Sequence, residues 1–216
     1  MTATPPRARR SWRQGTRHLY DRLPTPWLLT GITTLLLGVS ALFGGLDDAP
    51  VQAAPVITPG ATHVGSELTV TVDQALLIDA FPEQYITPEA GNRLLVVRAV
   101  VENTTTEPRR LSPVETDSVG VDGVPGLPDA AVPLRILVID DGSDLVVVQP
   151  GVPVELAYVW EIDGADLAAG DTITVTLLDR VYISEGRLTH GGLYDDPVVA
   201  ATLDLVLDDV GAGVSE

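Results

Sequence analysis

Three histidines bound the chemistry open to this 216-residue chain: His18, His63 and His190. A Ser–His–Asp site would have to use His190, since His18 lies in an arginine-rich head and His63 in a Pro/Gly-rich stretch; no G-x-S-x-G elbow accompanies it. There is no H-E-x-x-H pair, and a lysine-tipped phosphate loop is impossible because all thirteen basic residues are arginine. The absence of cysteine excludes disulfides, thiol catalysis, iron–sulfur clusters, Cys-type zinc sites and a lipid anchor on an N-terminal cysteine. Carboxylates are plentiful, but nothing singles out two of them as a glycosidase pair. The expectation is therefore a protein that is not an enzyme and holds no cofactor.

Two loops carry candidate ligands. Asp140, Asp141 and Asp144 surround Gly142 and could offer oxygen ligands to Ca²⁺. Their spacing departs from the D-x-[DN]-x-[DN]-G pattern, and Asp-Gly-Ser is ordinary turn chemistry, so a plain turn is the favoured expectation. The second loop combines His190, Asp195 and Asp196 with Tyr194 and two glycines, a candidate contact or metal patch set against a solvated loop. Asn103-Thr104-Thr105 matches the glycosylation sequon.

Charge is divided between two regions. Up to Leu46 there are six arginines and one acid, a balance of +5; from Asp47 onward there are seven arginines and 29 acids, a balance of −22. Such asymmetry predicts two compartments, and the acidic body argues against nucleic acid as a partner. Between them, 24 consecutive residues carry no charge, with the apolar run Trp27–Leu46 at their centre. Twenty helical residues span roughly 30 Å, the hydrocarbon thickness of a bilayer. The spacing predicts a transmembrane signal-anchor helix over 25–46, with Thr25 as N-cap and Pro26 at the first helical position. The arginines place the N-terminus in the cytoplasm and the acidic body outside it. The alternative is a signal peptide cut after Ala53, for which the run is long. Thr30, Thr34, Gly38, Ala41 and Gly45 fall on one helical face, a stripe that could support weak self-association.

The remaining organisation is a basic, disordered head (1–24), a Pro/Gly linker (47–65), one β domain (66–209) and a short disordered tail (210–216). Within the β domain, period-two alternation predicts strands at 66–73, 94–103, 134–140, 145–149, 152–162, 172–183 and 198–208, with a weaker one at 114–121. Leu68, Val70 and Val72 share one face of the first, and Val154, Leu156, Tyr158, Trp160 and Ile162 one face of the fifth. In the last, Val199, Ala201, Leu203, Leu205 and Leu207 are expected in the core. Seven or eight short strands separated by turn residues predict an all-β antiparallel sandwich, with a barrel as the alternative.

The run Gly91–Thr105, GNRLLVVRAVVENTT, and the run Val148–Leu156, VQPGVPVEL, resemble signatures of bacterial extracytoplasmic immunoglobulin-like domains. In those domains a glycine turn leads into an apolar strand ending in Asn-Thr, and a Pro-Gly turn opens a central strand. The likeness covers roughly 66–208 and is akin to the secreted immunogenic antigens of actinobacteria. It implies an immunoglobulin-like sandwich of 7–8 strands outside the cytoplasm, with no family-wide catalytic residues. Many relatives use a lipidated cysteine, which this chain replaces with its apolar helix. The function expected is a protein–protein interaction module with an envelope protein as partner; the alternatives are a cation or small-ligand binding domain and, further off, a hydrolase.

Overall fold

The computed structural model describes residues 25–42, 53–113, 118–184 and 192–211, and the chain divides into two compact units, Met1–Gln52 and Ala53–Glu216. In the first unit, helix α1 runs Thr25–Leu42. The expected membrane-spanning helix over 25–46 is not reproduced: residues 43–46 lie outside the described ones, and 18 residues reach only about 27 Å. Among the described residues no helix is long and apolar enough to cross a membrane. Thr34 Oγ1 donates to the Thr30 carbonyl at 2.9 Å, turning one hydroxyl of the small-residue stripe back onto its own backbone. Gly45, the last member of that stripe, lies outside the described residues.

The second unit is β-sandwich-like, built on one curled, mixed sheet. Twelve strands are described: β1 (Thr62–Val64), β2 (Leu68–Ile78), β3 (Asn92–Asn103), β4 (Arg109–Arg110), β5 (Val119–Asp122), β6 (Arg135–Val138), β7 (Val147–Val148), β8 (Val154–Asp163), β9 (Thr172–Asp179), β10 (Tyr182–Ile183), β11 (Leu193–Tyr194) and β12 (Val198–Gly211). The main sheet runs β5-β9-β12-β2-β3-β8-β6, with β1 against β2; β4 pairs with β7, and β10 with β11. The predicted all-antiparallel pattern is corrected at β12, which is antiparallel to β9 but parallel to β2. Leu207 of β12 faces Ala75 and Asp209 faces Leu77 in that parallel pair, followed by a register shift before Gly211.

This shared strand lets the sheet fold back over itself. Val119 and Val121 of β5, Ile173, Val175 and Leu177 of β9, and Leu203, Leu205 and Leu207 of β12 pack in one core with Val70 and Val72 of β2 and Tyr158 and Trp160 of β8. The alternation predicted in β2, β8 and β9 holds. Val199, however, is exposed, because a bulge between Val199 and Ala201 removes it from the inward row. Central strands β3 and β8 are buried on both faces: Leu94, Val96, Ala157 and Val159 form a second, outer cluster with Ile78, Ile86 and Leu137. Two-sided burial explains why these strands read as continuous apolar runs.

The predicted linker is also revised. Ile57 N–H donates to the Thr202 carbonyl and Thr202 N–H to that of Pro55, at 2.8 and 2.9 Å, so the body begins at Ala53 rather than Ser66. Proline removes a donor but not an acceptor, so Pro55 can still serve an edge pairing. His63, from that stretch, is in β1 opposite Val70, half-buried, with a buried Nε2 lacking a hydrogen-bond partner among the described residues. The strand predicted at 172–183 breaks into β9 and β10, and the last strand runs on to Gly211.

Arg93 at the start of β3 fastens the sheet where β12 joins β2. Its Nη1 and Nη2 donate to both oxygens of Asp209 at 2.8 and 2.6 Å, and its Nε to Asp79 at 2.9 Å. The Arg93 hydrogen bonds, aided by the Gly211 N–H, hold the Asp209 carboxyl down at about 2. A carboxylate held below its unfolded value stabilises the fold above about pH 4, and that stability is lost as pH falls toward 2. Denaturant titrations of the parent and Asp209→Asn should therefore differ at pH 5 and converge toward pH 2; parallel pH profiles would contradict the clamp. Trp160 is 1% exposed, with its Nε1 donating to the Ala131 carbonyl at 2.9 Å. Trp160→Ala should lower the unfolding free energy by about 3–5 kcal/mol. An unchanged denaturation midpoint would remove Trp160 from the core.

Candidate functional site

The connection from β2 to β3 returns over the outer apolar cluster and closes on itself. Phe81 and Ile86 exchange backbone hydrogen bonds at 2.9 and 3.0 Å, and a single 3₁₀ turn, Pro82–Gln84, lies between them. Phe81 and Ile86 pack onto Leu94, Val96 and Leu137, so the loop sits on the core by its two ends. At its apex Tyr85 has φ 56° and ψ 31° and is 95% exposed. A left-handed conformation at a bulky residue costs on the order of 1–3 kcal/mol. Glycine would adopt it freely, yet the chain places an aromatic ring there, in solvent.

Facing this loop is the turn after β6. Gly142 N–H donates to the Val138 carbonyl at 2.8 Å, and Val138 N–H to that of Ser143 at 2.9 Å. Gly142 has φ +70°, the left-handed region that favours glycine, and the Gln84 side chain lies directly over it, so the two loops touch there. Between them is a cleft of about 350 Å³. Ile86 and Leu137 supply an apolar floor, Glu83, Asp141 and Asp144 are the carboxylates on its walls, and Arg135 is its cation. Arg135 Nη1 is 3.8 Å from Asp144 Oδ2, a loose, exposed pair.

The candidate metal ligands fall as follows. Asp141 Oδ1 accepts the Ser143 N–H at 2.9 Å, the Asx turn expected of an Asp-Gly-Ser sequence, while Asp144 faces Arg135 and Asp140 is exposed in the turn. Among the described residues no three His, Asp or Glu side chains are grouped to hold a metal. The strands flanking this turn do not pair with each other: β6 joins β8, and β7 joins β4. His190 lies outside the described residues. Asp195 and Asp196 are exposed beyond β11; Asp195 N–H donates to the Val181 carbonyl, and Asp195 Oδ1 accepts the Asp196 N–H, both at 2.9 Å.

The sequon is structural. Asn103 is 0% exposed; its Nδ2 donates to the carbonyls of Glu107 and Val148 at 2.7 and 3.0 Å, and its Oδ1 accepts from Thr105 N–H and Oγ1 at 2.9 and 2.7 Å. A side chain so enclosed cannot carry a glycan in the folded state. The Asn-Thr pattern instead ties the end of β3 to β7. Nearby, Arg109 pairs with Glu67, both largely buried, which joins β4 to the turn before β2.

Sequence reasoning missed the cleft because its walls, Glu83 to Tyr85 on one side and Asp141 to Asp144 on the other, come from segments far apart in the chain. The one local cue was a tyrosine amid turn-forming residues in Phe81–Pro88, FPEQYITP.

No family model matches the chain, and no curated protein matches it. Among solved structures, an uncharacterised β-sandwich protein of Clostridium difficile 630 is 8% identical at a TM-score of 0.40, covering 73% of this chain and 99% of its own. A candidate lipoprotein of Staphylococcus aureus NCTC 8325 is 11% identical at 0.39, covering 73% and 99%. A conserved hypothetical protein of Bacillus anthracis is 15% identical at 0.33, covering 60% and 94%. At such scores the fold is defined by this chain's own strand pairing and shared core.

If the Tyr85 ring serves a purpose other than folding, removing it should leave the fold intact. Tyr85→Gly should match or exceed the parent's unfolding free energy and exceed Tyr85→Ala by about 0.5–1 kcal/mol, since alanine keeps the left-handed Cβ penalty. Chemical denaturation of the three proteins decides it. A loss above about 1 kcal/mol in Tyr85→Gly would make the ring a folding element.

Proposed function

We propose that this chain is a single-pass, membrane-anchored protein that presents an immunoglobulin-like sandwich outside the cytoplasm for contact with another protein of the cell envelope, without catalytic activity of its own. The observation that carries the contact role is the display of Tyr85: a large ring, 95% exposed, held in a costly conformation on a loop closed by backbone hydrogen bonds, at the rim of a cleft. A rigid exposed aromatic buries much area on binding and loses little conformational entropy, the property that makes tyrosine an interface anchor.

Support for the anchor comes from the sequence: 24 uncharged residues between Arg22 and Asp47, six arginines ahead of them and two aspartates directly after. Helix α1 occupies 18 of those residues, and Leu29, Ile32, Leu35, Leu36 and Leu42 on it are exposed. Such a surface is compatible with lipid and poorly suited to water.

Two measurements on the full-length protein in its host test the proposal. The protein should remain in the membrane pellet after alkaline carbonate extraction, with its sandwich open to external protease and its arginine-rich head protected; release into the supernatant would overturn the anchor. In-cell crosslinking should then capture one defined envelope protein with the parent and fail with Tyr85→Gly. Equal capture by both would overturn the role of this face.

A further inference from the structure

Resting on the proposed contact role, we infer that the cleft beneath Tyr85 receives an arginine side chain of the partner polypeptide. Three features of the cleft select that chemistry. At its floor the nearly buried Ile86 and Leu137 leave a small apolar area against which the aliphatic stem of a long side chain fits. Its walls hold three carboxylates, Glu83, Asp141 and Asp144, against one guanidinium, so a cation is attracted and an anion repelled. Its rim carries Tyr85, whose exposed ring touches little of its own chain. A guanidinium stacks flat on such a ring while its edges donate to carboxylates, a combination the compact, strongly hydrated ammonium of lysine matches less well.

A divalent metal fits these walls poorly. No three acidic or histidine side chains among the described residues converge as ligands, and one oxygen of Asp141 already accepts the Ser143 N–H. Carboxylates distributed around a ligand-sized cavity match an extended, delocalised cation. Arg135 lines the same cleft. Its loose contact with Asp144 is readily exchanged for the incoming guanidinium, which leaves Arg135 to repel a second cation and limit the cleft to one.

The test uses full-length protein in detergent micelles with ¹³C-labelled tyrosine rings. The chain has five tyrosines, and the Tyr85 signal is assigned by its disappearance in Tyr85→Gly. Capped Gly-Arg-Gly, Gly-Lys-Gly and neutral Gly-citrulline-Gly peptides are titrated in turn. The Arg peptide should shift the Tyr85 signal saturably, with an affinity in the millimolar range, and bind at least fivefold more tightly than the citrulline peptide and more tightly than the Lys peptide. The double variant Asp141→Asn, Asp144→Asn keeps the Asx-turn acceptor and should weaken the Arg peptide at least fivefold. A variant neutralising two distant carboxylates, Glu102→Gln with Asp204→Asn, should weaken it less than twofold. An unmoved Tyr85 signal, equal affinity for Arg and citrulline peptides, or equal losses in the two double variants would each overturn the arginine assignment. If the peptides fail while in-cell capture still depends on Tyr85, the contact role stands and the arginine chemistry falls; if both fail, both fall.

Discussion

The body of this protein depends on β12 belonging to two pairings at once. Its first nine residues lie antiparallel to β9, and its last lie parallel to β2. Without that shared strand, β5 and β9 would be a separate ribbon, and Val119, Val175 and Leu177 would face water instead of Val70, Tyr158 and Trp160. The crossing point is reinforced from several directions. Pro55 and Ile57 hold Thr202, Asp171 and Gly170 hold Leu207, and Arg93 grips Asp209 where the strand ends. A chain without disulfides has to secure its closing strand in this way, through ladder hydrogen bonds and one bidentate ion pair.

The second consequence of the sheet's design is an outer apolar layer. Burying β3 and β8 on both faces requires a cover, and the loop from β2 to β3 provides it through Phe81 and Ile86. That duty fixes both ends of the loop and leaves its apex to project. Tyr85 is thus placed by the packing of Phe81 and Ile86 on either side of it, and Gln84 lies across Gly142 to bring the turn after β6 alongside. The cleft is a by-product of covering the sheet, and its chemistry is set by which side chains stand on the two loops.

Much of the fold was legible in the sequence because a half-buried strand alternates with period two. The inward rows of β2, β8 and β9 followed from Val70, Val72, Leu156, Trp160, Ile173 and Leu177. Where this failed, the cause was local backbone geometry that side-chain type does not encode. A bulge moved Val199 to the surface, and prolines marked 47–65 as a linker although Pro55 accepts a hydrogen bond from Thr202. The parallel pairing of β12 with β2 has no pattern of its own, since alternation is the same in either direction. The candidate site was less legible. Asp140 and Asp141 lie in a turn with Asp144 just beyond it, and Tyr85 and Arg135 join Asp141 and Asp144 only through the tertiary fold. The Asn103 sequon turned out to be a buried tie.

The central structural claim, that β12 closes the sheet, can be measured directly by native-state amide hydrogen exchange. Amides of β12 between Leu203 and Asp209 should exchange by global unfolding, with the same free energy and denaturant dependence as those of β2 and β3. If β12 exchanged faster, through a separate opening that left β2 and β3 protected, it would be a fraying terminal strand and this account of the fold would be wrong.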